Sequence, residues 1–169
     1  MRFILVDRIL RVEKGKEGLF LKNVSQSEDY FADHFPESPV MPGALILEGF
    51  EQASQLLIGF SREFVSYPNL DQVIKATFRH FVIPGDQLEI SVSVLRQDGE
   101  RIWVKGKAQS RERLVAEATL VFLLVDGKSG EKAAEHCRRL ERTYRLLSSE
   151  PVEREWERLS QTQRRDLPG

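Results

Sequence analysis

The sequence holds a single cysteine, Cys137, among 169 residues. No disulfide can form within the chain, and a reducing compartment, the cytoplasm, is the expected home. Histidine is almost as scarce, with three. His136 and Cys137 are adjacent, but zinc needs further ligands at recognisable spacings, so no metal site is expected. Neither sign of charge is in excess: 25 Lys and Arg face 26 Asp and Glu, for a net charge of −1. Nucleic-acid binding ordinarily requires a basic face, and none is expected here. Long hydrophobic runs are missing too. The opening MRFILVDRIL is interrupted by Asp7 and Arg8, which makes it too short and too charged for a signal peptide or a membrane span. No phosphate loop, dinucleotide fingerprint or Gly-x-Ser-x-Gly elbow appears. There is no internal repeat and no low-complexity tract.

What is present is an ordinary globular balance, 41 % hydrophobic and 30 % charged residues. The length suits one domain with a small appendage. Residues 3–12 and 18–24 read as a hairpin across the Gly15–Gly18 turn. A loop with Pro36 and Pro39 follows, to Met41. From Gly43 to about Glu63 the pattern is helical and apolar on most sides. One polar stripe interrupts it, formed by Glu48, Gln52 and Gln55 at spacings of four and three. Residues 73–81, 86–96, 101–110 and 114–125 read as strands, with a tight turn at Asp98-Gly99. Two strands, one buried helix and an antiparallel run of strands predict an α+β fold. After a break at 127–130, Ala133, Cys137, Leu140, Tyr144 and Leu147 recur at helical spacing among Arg and Glu. This predicts an amphipathic helix docked on the sheet or on a partner. A second short helix is expected from Pro151, and 161–169 should fray. The domain division is 1–126 and a charged helical extension, 127–169.

The stretch HFPESPVMPGALILEGFEQA, residues 34–53, carries the candidate chemistry. Pro36, Pro39 and Pro42 each fix φ near −65° and stiffen the loop that bears His34. Gly43 opens the helix, so its N–H is among the donors left unpaired at a helix start. Such a donor, at the positive end of the helix dipole, can hold a developing oxyanion. Glu48 follows about 7–8 Å along the helix axis. Desolvation by Leu45, Ile46, Leu47 and Phe50 should raise its pKa. A neutral imidazole accepts a proton, a protonated carboxyl donates one, and the amide steadies charge. That set suits proton abstraction beside a carbonyl with loss of a β-hydroxyl.

This stretch resembles the 3-hydroxyacyl-[acyl-carrier-protein] dehydratases. The matching residues are His34-Phe35-Pro36, Pro39-Val40-Met41-Pro42-Gly43, Glu48 and Gln52. A second block, Phe78-Arg79 with Val82-Ile83-Pro84-Gly85-Asp86-Gln87-Leu88, matches as well. The resemblance spans roughly residues 1–126. It implies a hotdog fold, a long central helix wrapped by a curved antiparallel sheet, here with an extra C-terminal helical tail. It implies a homodimer, often arranged as three dimers in a hexamer, with His34 of one subunit facing Glu48 of the other in an acyl tunnel. It implies His34, Glu48 and Gly43 as the catalytic set, with Phe35, Met41, Pro42 and Gln52 against substrate. Acyl carrier protein would be the partner, no cofactor would be used, and Lys75, Arg79 and Arg96 are candidate carrier contacts.

The chain departs from the family pattern at Glu37, where glycine is usual, at Glu51, at His80-Phe81 and in its charged tail. Arg138, Arg139, Arg142 and Arg145 read as a solvated helix face or a carrier contact. Two other readings keep the fold. One is an acyl thioesterase, in which a carboxylate activates water. The other is a non-catalytic subunit that binds acyl chains or their carrier. The histidine placed before Pro-x-x-Pro favours dehydration.

Overall fold

The computed structural model describes residues 4–34 and 37–148. The chain begins with β1 (Arg8–Glu13) and β2 (Glu17–Asn23), then a short helix α1 (Tyr30–Asp33) and the long helix α2 (Gly43–Ser61). Four strands follow: β3 (Ser66–Phe78), β4 (Gln87–Asp98), β5 (Arg101–Ser110) and β6 (Arg113–Asp126). A 3₁₀ turn, Gly127–Ser129, leads into α3 (Glu131–Leu147). All six strands join one antiparallel sheet in the order β1-β2-β4-β5-β6-β3.

The sheet wraps α2, which touches β2, β3, β4, β5 and β6. The apolar residues of α2 dictate this. Phe50, Leu56, Leu57 and Ile58 are fully enclosed, and each contributes roughly 1.5–3 kcal/mol by leaving water. Phe20, Leu88, Ile90, Val104, Leu120 and Phe122 meet them from the strands. Gly106 on β5 makes the closest approach possible, since a Cβ there would fall 2.8 Å from Phe50 Cγ. The α+β expectation of a central helix in an antiparallel sheet is what forms.

Three elements differ from the sequence reading. β3 begins at Ser66 rather than residue 73 and ends at Phe78 rather than residue 81. Pro68 and Asn69 resemble loop residues, but β3 is an edge strand, and an edge tolerates proline because one row of its N–H groups has no ladder partner. His80 therefore lies beyond the strand, exposed, with Arg113 Nη2 3.4 Å from its Nδ1. β1 starts at Arg8, not residue 3; Leu5 and Val6 are buried without being in the strand. The third difference is α1, four residues long, which has no periodicity to announce it. Lys22 is almost wholly buried on β2. It pairs with Glu28 at 2.7 Å and Asp7 at 3.4 Å, tying the N-terminal segment to the approach of α1.

The expected amphipathic helix of the extension is α3. Its buried face, Ala133 and Cys137, with Leu140, Tyr144 and Leu147 packed on the core, docks on α2 and β3. The helix expected from Pro151 and the fraying expected at 161–169 lie outside the described residues. No helix among the described residues is long and apolar enough to cross a membrane.

Candidate active site

His34 caps the C-terminus of α1, where its backbone N–H donates to the Tyr30 carbonyl at 3.1 Å. Its half-buried ring turns back on its own loop. Nδ1 lies 2.7 Å from the Val40 carbonyl oxygen. A carbonyl only accepts, so Nδ1 carries a proton, and in the neutral ring Nε2 is then the basic nitrogen. The loop is anchored further on. The buried Met41 donates its N–H to the Val82 carbonyl at 2.8 Å. Val82 belongs to the second sequence block, and Asp86 closes that block's turn by accepting from Ile83 N–H at 3.0 Å. Gly85 N–H and Val24 N–H then pin the turn to the end of β2, each at 2.9 Å to the Val24 and Asp86 carbonyls. The two blocks, distant in sequence, brace one another in space.

Pro42 is the N-cap of α2, and Gly43 is its first helical residue. Among the described residues nothing accepts from Gly43 N–H. A Cβ at Gly43 would sit 3.1–3.3 Å from the Phe78 ring, so any side chain there would have to displace the aromatic cover of this helix terminus.

Glu48 stands in the second turn of α2, half-buried. Gln52 donates its Nε2 to Glu48 Oε1 at 2.8 Å, while its own Oε1 accepts Leu5 N–H at 2.9 Å. The backbone donor fixes which way the amide faces, and the amide in turn fixes the carboxyl. Gln52, expected against substrate, thus orients Glu48. Glu51 is the next acid along. Burial, and then the nearby Glu48 charge, push its carboxyl above the ordinary range; Gln55 donates to it at 3.0 Å.

Glu48, Glu51, Gln52 and Gln55 form one wall of a groove of about 610 Å³. The N-terminal Ile4, Val6 and Asp7, the β3 residues Tyr67, Pro68 and Asn69, and α3 complete it. His34, Met41, Pro42 and Gly43 do not line it. Within one chain the structure therefore gathers Glu48 and Gln52 in the groove and His34, Met41, Pro42 and Gly43 in the loop before α2. Phe35 lies outside the described residues.

The candidate carrier contacts lie apart from the groove. Arg79 pairs with Glu117, which Lys105 also holds at 2.6 Å. The two cations, donating hydrogen bonds, bring the Glu117 carboxyl down to about 2. Arg96 lies over the Trp103 ring at 3.7 Å, and Lys75 is exposed on β3. Sequence reasoning missed Leu5 and Val40, which act through backbone groups that no side-chain pattern reveals. It also missed Tyr67 and Asn69, hidden by the late start assigned to β3.

A family profile described as a FabA-like domain matches residues 1–119. A 3-hydroxyacyl-[acyl-carrier-protein] dehydratase FabZ of Geobacillus thermodenitrificans is 42 % identical over 128 residues, 73 % of this chain and 86 % of the relative. The enzyme of the same name from Nitratiruptor is 44 % identical over 132 residues, 73 % of this chain and 88 % of the relative. Among solved structures, a hot-dog-like protein from Thermanaerovibrio acidaminovorans superposes with a TM-score of 0.59 at 20 % identity, covering 78 % of this chain and 93 % of its own.

Proposed function

Because the chain belongs to the FabA-like family and has the hotdog fold, we propose that it removes water from 3-hydroxyacyl-[acyl-carrier-protein] thioesters in fatty acid or related acyl-chain synthesis. The product is a trans-2-enoyl thioester. His34 Nε2 takes the proton from C2. The charge that builds on the thioester oxygen is met by Gly43 N–H at the positive end of α2. Glu48, held by Gln52, gives its proton to the departing 3-hydroxyl. The bonds broken are C2–H and C3–O, the bond formed is C2=C3, and the hydroxyl leaves as water. The catalytic unit is residues 1–126, with 127–169 as its extension, and the single cysteine suits the cytoplasm.

His34 and Glu48 come together across a homodimer. In support, β3 is a sheet edge of 13 residues that exposes Val73 and Ile74. A long apolar edge is a template for pairing with another strand. The acidic carrier would approach a basic surface, for which Lys75 is the most available of the three cations named above, since Arg79 and Arg96 have partners within the chain.

The observation that carries the reading is the 2.7 Å contact of His34 Nδ1 with the Val40 carbonyl, because it leaves the other nitrogen as the base. His34→Ala and Glu48→Gln should each lower the dehydration rate by about 10²–10⁴-fold, with thermal melting unchanged. An undiminished rate in either purified variant overturns the assignment.

A further inference from the structure

The FabA-like match ends at residue 119, yet α3, at 131–147, supplies a wall of the groove that holds Glu48. We propose that α3 forms one side of the acyl-chain compartment, and that its groove-facing residues set which 3-hydroxyacyl chains the site accepts. This rests on the dehydratase reading.

Three residues make α3 a fixed wall. Leu140 fills the place a side chain would take at Gly59 on α2, where a Cβ would lie 2.5 Å from Leu140 Cδ2. Tyr144 stacks on Phe60 with ring centroids 4.7 Å apart and tilts against Phe64 at 5.5 Å. His136 packs on Tyr67 of β3 at 4.8 Å. A helix seated this way cannot swing aside without breaking the packing of α2.

The occupant follows from where Glu48 points. The carbon losing its hydroxyl must sit at this carboxyl, so the chain beyond C3 has to continue into whatever space adjoins it. That space is the groove. Its volume of about 610 Å³ falls within the ordinary range for a small-molecule site, roughly 300–1,000 Å³. Leu56, Tyr67, Leu140 and Leu147 offer apolar surface for methylenes, and Thr143 on α3 lies among them. Because α3 bounds the groove, side-chain size on α3 limits what fits.

The test uses full-length protein and two variants read as a ratio. The kcat/KM for a 3-hydroxydodecanoyl thioester of acyl carrier protein is divided by that for the 3-hydroxybutyryl thioester. Thr143→Trp should lower this ratio by about tenfold or more, since even single methylenes in a pocket shift rates by about 10–200-fold. Leu147→Ala should raise it. Folded variants with the wild-type ratio overturn the inference and leave the dehydratase reading standing. Wild-type protein inactive on both substrates overturns that reading instead. A change in oligomeric mass with an unchanged ratio means that a second copy occupies the groove, which also overturns the inference. If Thr143→Trp does not fold, the Leu147→Ala ratio decides.

Discussion

At residue scale the polar stripe of α2 divides its labour between neighbours one helical turn apart. Glu48 is oriented by an amide that is itself oriented by a backbone N–H. Among the described residues Glu51 is met by Gln55 and by no cation, and burial with the Glu48 charge raises its pKa above 4.5. The folded state therefore binds the Glu51 proton more tightly than the unfolded chain does. Well below pH 4.5 both states are protonated and ionisation costs nothing. As pH rises, the unfolded chain ionises first, and stability falls until the folded carboxyl has also ionised. The penalty persists at neutral pH. Glu51→Gln should therefore raise the melting temperature at pH 7 by more than at pH 4. An equal change at both values would mean that Glu51 is not strained by its surroundings.

At the scale of elements, α2 and the sheet fit because small residues lie where large ones need space. Gly106 lets the base of the Phe50 side chain, not its flexible end, rest against β5. Phe50 is fully buried, so it cannot yield to an added methyl group. Gly106→Ala should cost about 1–3 kcal/mol through overpacking, seen as a lower urea midpoint with an unchanged slope. The elements that sequence reading placed best are those with strong local pattern: α2, from Gly43, and β5, whose alternation spans Arg101–Ser110. It failed where tertiary context rules. Pro68 is acceptable only because β3 is an edge, α1 is too short to show a period, and Leu5 and Val6 are core residues outside any strand. The candidate site divides in the same way. His34, Gly43 and Glu48 are legible as residue types at a spacing, whereas the Val40 carbonyl and the Leu5 N–H are backbone partners with no signature. The seat of α3 on α2 depends on Gly59 meeting Leu140, a pairing that neither segment reveals alone.

For the whole molecule the decisive feature is that one chain does not line its groove with both halves of the proposed acid/base pair. Glu48 is in it and His34 is not. If the site is completed by a second subunit, a dimer has two sites, each taking His34 from one chain and Glu48 from the other. A mixed dimer of His34→Ala and Glu48→Gln chains then has one site with both residues altered and one with neither. Two inactive proteins, mixed and allowed to exchange subunits, should therefore regain activity. With random exchange half of the dimers are mixed and each has one intact site, so roughly a quarter of the wild-type rate is expected per chain. If His34 and Glu48 instead act within one chain, every site in the mixture still lacks one of them, and the rate stays at that of the separate variants. Native mass spectrometry of the same mixture distinguishes absent exchange from absent complementation. Mixed dimers without activity would sink the shared-site arrangement while leaving the roles of His34 and Glu48 to the single-variant rates.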